Sequence, residues 1–221
     1  MEKNKSSIMK RYKKNLELLS KNNIYSKEME HDACGVGLIA STEGKKSRTV
    51  VDYGIEALKA VWHRGAVDAD GKTGDGAGIH LEIPKDFFIE KIEVTGHDYD
   101  KADICVGMIF LPRNDYSSQE SCKTIVESEL TKNHFSIYGW RQVPVDPKVL
   151  GEKALQTMPE IIQVLFKSND MNLIDKELER KIYETRKKIE NKAFEQSLNN
   201  FYICSFSSKS IIYKGMFLAE A

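Results

Sequence analysis

The sequence has no apolar run approaching the 20 or so residues that a helical membrane span needs. It also has no excess of either charge. Lys plus Arg number 33 and Asp plus Glu number 33, so there is no electrostatic case for a nucleic-acid partner or an anionic membrane surface. Cysteine is sparse: Cys34, Cys105, Cys122 and Cys204 lie far apart, with no Cys-x-x-Cys and no paired histidine spacing. That pattern excludes a disulfide scaffold and a zinc site built on these thiols. The five histidines, at 31, 63, 80, 97 and 134, form no His-Glu-x-x-His. Residues 1–33 lack the hydrophobic core of a secretory signal and carry too many acids for an organellar transit peptide, which places the chain in the cytoplasm. There is no internal repeat, and no low-complexity segment beyond the polar start.

What is present begins with His31-Asp-Ala-Cys34-Gly-Val-Gly-Leu-Ile-Ala40, a polar lead-in followed by an apolar run that reads as a strand. Cys34 at the head of that run is either a nucleophile held at a strand end or a small buried hydrophobe. Before it, residues 7–20 form either a short basic helix or a loose tail. After it, the pattern predicts a turn around Gly44, a short strand at 48–51, and a helix over 54–62 with Ile55, Leu58 and Trp62 on one face. Further strands are expected at 79–83, 103–111, 135–145 and 161–166. Helices are expected from Pro84 through Phe88, over 117–132, and over 173–194, where Ile174, Leu178, Ile182, Ile189 and Ala193 make a stripe. Residues 201–206 and 210–213, joined by Ser207-Ser208-Lys209, look like a hairpin; either its partner strands lie beyond residue 221 or this end is disordered. Cys105 and Cys204 fall in apolar strands and read as core, while Cys122 sits on a helix without visible chemistry.

The loop Asp68-Ala-Asp-Gly-Lys-Thr-Gly-Asp-Gly-Ala-Gly78 invites a phosphate-binding reading. Its Gly71-Lys72-Thr73 ends like a P-loop, but the earlier glycine would fall at Ala66, and a helix rather than a strand precedes it. Gly74-Asp-Gly-Ala-Gly78 is not Gly-x-Gly-x-x-Gly and leads into a strand. The glycines are better used as a tight loop entering a strand whose backbone is closely approached.

Three motifs in order, Cys34-Gly-Val-Gly-Leu-Ile39, His63-Arg64-Gly65-Ala66 and Thr73-Gly-Asp-Gly-Ala-Gly-Ile79, closely resemble the class II glutamine amidotransferase domain of the glutamate synthase large subunits. The resemblance runs from about residue 32 to 213. It implies an α+β fold, the first part of a four-layer αββα sandwich of the N-terminal nucleophile hydrolase type. It further implies that residues 1–33 are a propeptide or flexible tail and that 34–221 are the amidotransferase domain, incomplete at its C-terminal end. Cys34 is then the catalytic nucleophile, freed by cleavage after Ala33, and Arg64 binds substrate. The alternative for Arg64 is a helix-terminal arginine satisfying carbonyls. The implied activity is glutamine hydrolysis, with the ammonia used to make glutamate from 2-oxoglutarate. FMN and an iron–sulfur cluster (3Fe-4S) are expected in the missing synthase domains and none in this chain; an NADPH-oxidising subunit or ferredoxin is the expected electron donor. The family pattern includes an Asn-Gly pair for the oxyanion hole, and none occurs here, so the isolated chain is expected to be inactive or weak. The rival readings are a non-catalytic remnant or interaction module, and an amidotransferase domain of another glutamine-dependent synthase.

Overall fold

The structure is a computed structural model that describes residues 2–21, 35–61, 66–97 and 104–219, with side chains from residue 10 onward. The chain divides into two compact units, Met1–Cys34 and Gly35–Ala221. The first contains helix α1 (Glu2–Lys21), longer than the predicted basic helix, with Tyr12, Leu18 and Leu19 exposed.

The second unit is built from two antiparallel sheets. The larger has the order β3 (Phe135–Gln142), β4 (Glu160–Ser168), β2 (Cys105–Leu111), β5 (Tyr202–Ser207); the smaller pairs β1 (Ala77–Glu82) with β6 (Ser210–Gly215). Strand β2 is apolar at nearly every position because both its faces are covered. Cys105, Ile109 and Leu111 pack with Cys122, Ile125, Val126 and Leu130 of α4 (Tyr116–Lys132), and with Ile182 and Ile189 of α6 (Asp175–Glu195). Val106 and Met108 point the other way. They meet Ile211 of β6, and Phe88 and Ile92 of α3 (Lys85–Glu93). Helix α2 (Arg48–Ala60) packs on β1. The layers therefore run helices, sheet, sheet, helix, in a mixed α+β fold with antiparallel sheets.

Gly107 shows how tightly the central strand is held. A Cβ there would stand 2.5 Å from the Phe206 ring and 2.7 Å from Val164 Cγ1, so only glycine lets β4 and β5 close over β2. On α6, Leu178, Ile182, Ile189 and Ala193 are buried as the periodicity predicts. Ile174 is exposed because it is the residue that enters the helix.

Three local expectations are corrected. Residues 35–40 form no strand: Val36 and Leu38 are 89% and 90% exposed, and among the described residues no neighbour pairs with their backbone. An apolar run becomes a strand only where a partner supplies hydrogen bonds. Residues 48–51 are the first turn of α2 rather than a strand, because Ser47 caps it, its hydroxyl accepting from the Thr49 N–H at 3.1 Å. That cap overrides the β propensity of Thr49-Val50-Val51.

The third correction concerns the expected hairpin. β5 and β6 do not pair with each other. β5 joins β2 and β6 joins β1, so each has a partner upstream within the chain. A two-residue hairpin needs left-handed turn residues, and none of residues 207–210 has positive φ. Instead the chain turns a corner from one sheet to the other. The Ser207 hydroxyl accepts from the N–H groups of Lys209 and Ser210, and Glu179 of α6 accepts from Ser207 Oγ (2.9 Å), Ser208 N (2.7 Å) and Ser208 Oγ.

Candidate functional site

Both predicted site residues, Cys34 and Arg64, lie outside the described residues, as do His31 and His63. Around them in sequence the structure describes residues 35–40 after Cys34, which are exposed and without regular secondary structure, and the loop 66–76 that follows Arg64.

That loop is closed on itself by several independent bonds. Asp75 accepts from the Ala66 N–H at 2.8 Å through Oδ2, while its own N–H donates to the Ala66 carbonyl at 3.3 Å. Val67 bridges Gly74, and Asp68 N donates to Thr73 O at 2.9 Å. At the tip, Asp70 works as a hub. Its Oδ1 accepts from Lys72 N (2.9 Å) and Thr73 N (2.7 Å), and its Oδ2 accepts from the Thr73 hydroxyl (2.5 Å). These donors, the Thr73 hydroxyl foremost, hold the Asp70 carboxyl well below the usual carboxylate range. The loop is also tied to distant chain. Lys153 Nζ donates to Asp68 Oδ2 at 2.5 Å, lowering the Asp68 pKa and raising its own. Gly151 lies so close that a Cβ there would overlap Thr73 Oγ1, Asp70 Oδ2 and Thr73 N.

The glycines after the loop have the role expected of them, close approach of backbone rather than a phosphate cradle. A Cβ on Gly74 would meet Leu218 Cδ2 at 2.9 Å, one on Gly76 would meet Gly215 O at 3.1 Å, and one on Gly78 would meet Lys214 Cβ at 2.8 Å. Gly76 also has φ +111°, which L side chains rarely adopt. The 213–218 segment thus lies along the Thr73–Gly78 motif and leaves no room for a side chain at Gly74, Gly76 or Gly78.

A family profile described as glutamine amidotransferases class-II matches residues 34–221. The chain belongs to the class-II glutamine amidotransferases. Among curated proteins, this amidotransferase chain is 52% identical over 209 residues to the glutamate synthase [NADPH] large chain of Azospirillum brasilense, covering 95% of the chain and 14% of that relative. It is 40% identical over 194 residues to ferredoxin-dependent glutamate synthase 1 of Arabidopsis thaliana, covering 87% of the chain and 12% of the relative. It is 38% identical over 188 residues to ferredoxin-dependent glutamate synthase 2 of Synechocystis, at 85% and 12%. The chain therefore spans 12–14% of the length of these relatives.

None of the three described thiols is placed to react. Cys105, Cys122 and Cys204 are all buried, two in strands as expected and the third on α4 against the core. Burial pushes Cys122 up to about 11 and raises Cys204 as well, so both are protonated at neutral pH. Among the described residues, no group of three or more His, Cys, Asp and Glu is placed to hold a metal ion, and no helix is long and apolar enough to cross a membrane. Sequence reasoning missed the Asp70 hub. Its Asp-x-x-Thr spacing is a visible turn signal, but the role of Gly151 and Lys153 depends on a contact between segments some eighty residues apart.

Proposed function

We propose that this chain carries the glutamine-hydrolysing site of a glutamate synthase, with Cys34 as nucleophile and Arg64 as the substrate-binding cation. The observation that carries the reading is that the family match opens on Cys34 itself. The chain also divides at Cys34/Gly35, one residue past the Ala33–Cys34 bond that removal of a propeptide would cut.

Cleavage after Ala33 turns the backbone nitrogen of Cys34 into a free amine with a pKa of about 8. That amine takes the thiol proton, a task an amide nitrogen cannot perform. The thiolate sulfur then bonds to the side-chain amide carbon of glutamine, and the C–N bond breaks as the nitrogen takes the proton and leaves as ammonia. Water, giving up a proton to the amine, hydrolyses the glutamyl thioester to glutamate and restores the thiol. The Arg64 guanidinium suits the substrate's α-carboxylate through its two-pronged donor geometry.

The ammonia aminates 2-oxoglutarate in the longer synthase, where FMN and an iron–sulfur cluster supply the reducing chemistry. The described residues here do not fit the cluster: the three described cysteines are buried in separate elements, and among the described residues no group of three or more His, Cys, Asp and Glu is placed to hold a metal. The electron donor, an NADPH-oxidising subunit or ferredoxin, engages that longer protein, which works in the cytoplasm. These 221 residues contain no Asn-Gly pair. Loss of one oxyanion donor costs about a hundredfold or more in rate, so turnover by these residues alone is weak.

Intact-mass analysis paired with an ammonia-release assay tests the proposal. Loss of residues 1–33 with glutamine turnover that Cys34→Ser abolishes is expected. Full-length chain turning over at the rate of a processed enzyme would sink the propeptide and the amine base together.

A further inference from the structure

Resting on that reading, we infer that Asp70 is a positioning residue for glutamine recognition: with Gly151 and Lys153 it clamps the 66–76 loop that carries the chain out of Arg64. Ala66 is the second residue after Arg64, and both its backbone groups are held by Asp75. Whatever moves the loop therefore moves the near end of the arginine's tether.

The loop by itself is a poor anchor. Ala66, Val67, Asp75 and Gly76 are exposed, and α2, on the other side of Arg64 in the chain, has no fully buried residue. Its rigidity comes from Asp70, which closes the tip through three bonds to Lys72 and Thr73, and from the 151–153 segment docked against that tip. Thr73 is 5% exposed, and the space above it is so filled that only a glycine fits at 151. Lys153 adds an ion pair to Asp68 on the same side. The 151–153 segment leads directly through α5 (Glu152–Gln156) to β4, a central strand of the larger sheet. The clamp thus references a surface loop to the rigid core. Holding a substrate-binding group in its bound position in advance removes the ordering cost that binding would otherwise carry, so a device that removes such freedom acts on recognition.

Asn at position 70 preserves the geometry. Its carbonyl oxygen accepts the same N–H groups, and the Thr73 hydroxyl can turn to accept from its amide nitrogen. Ala removes all three bonds.

The experiment uses the full chain and two alkylating probes for Cys34, read by intact mass so that processed and unprocessed populations are followed separately. A chloroketone analogue of glutamine requires recognition, whereas iodoacetamide does not. With Asp70→Ala, the half-saturating concentration of the chloroketone is expected to rise about tenfold, with its limiting rate and the iodoacetamide rate within about twofold of the unsubstituted chain. Asp70→Asn should restore the original value. Lys153→Ala, which leaves the loop's own bonds intact, should give a smaller rise in the same direction and stands in if Asp70→Ala does not fold. Saturable labelling that neither substitution changes overturns this inference and leaves the glutaminase reading standing. Absence of saturable chloroketone labelling in both populations of the unsubstituted chain, with iodoacetamide still reacting, overturns both.

Discussion

The second unit holds two regions stabilised in different ways. From β2 onward the chain is held by apolar burial: Phe166 is fully buried between Phe135 and Phe206, at ring-centroid distances of 5.4 and 4.7 Å. The described residues from Gly35 to Gly76 have little of this. Helix α2 has no fully buried residue, Val36 and Leu38 face solvent, and order comes from a helix cap, carboxylate hubs and glycines that admit close backbone approach. The described residues that follow the cysteine and arginine motifs are thus held by directional polar contacts, while packing holds the sheets and helices from β2 onward. Such an arrangement leaves polar groups near the site while stability is supplied at a distance.

The largest expected contrast is in thiol reactivity. In the native protein Cys34 should react promptly with a thiol reagent, while Cys105, Cys122 and Cys204 react only on unfolding, because burial shields all three. Peptide mapping after a brief alkylation reads this directly, and early modification of any buried thiol would break the contrast. Next, Phe166→Ala should cost about 3–5 kcal/mol in denaturant unfolding. Leu38→Ala should stay within about 0.5 kcal/mol, and a comparable cost at both positions would show that residues 35–40 are packed in solution. Gly151→Ala should cost about 1–3 kcal/mol, since its Cβ must displace Asp70 and Thr73.

A further effect is electrostatic. Glu129, buried on α4, accepts from Lys192 of α6, with Lys132 at 3.5 Å, and these partners hold its carboxyl below its ordinary value. A pKa lowered by folding contributes stability above the unfolded value of about 4.3, and that contribution is lost as pH falls through the folded one. Glu129→Gln should therefore destabilise by about 1 kcal/mol at neutral pH, with the gap closing toward pH 3. Thermal melts of both proteins across that range make the comparison, and a gap independent of pH would assign the loss to packing instead.

Much of the fold is legible in the sequence. The buried strand at β2, the long helices α4 and α6, and the strand after the glycine loop stand within a few residues of their predicted bounds, because period-two and period-3.6 apolar patterns are local. The failures share a cause. Residues 35–40 have a strand's composition without a paired neighbour, residues 48–51 have β-branched side chains behind a serine cap, and β5 and β6 are adjacent in sequence but belong to different sheets. Each outcome depends on what the rest of the chain brings to the segment.

The site divides along the same line. The order and spacing of the cysteine, arginine and glycine motifs are enough, by sequence alone, to place the chain in its family, because they are local strings of residues that can be read without the fold. Sequence also explains why glycine recurs after Thr73, in kind if not in partner. Only the tertiary structure decided that the 213–218 segment is what approaches those glycines, and that Gly151 and Lys153 lock the loop after Arg64. The physical reason is one of range. Helix periodicity and turn chemistry act over a few residues and are written locally, whereas a strand's partner or a loop's clamp is a contact between distant segments, selected only when the whole chain packs.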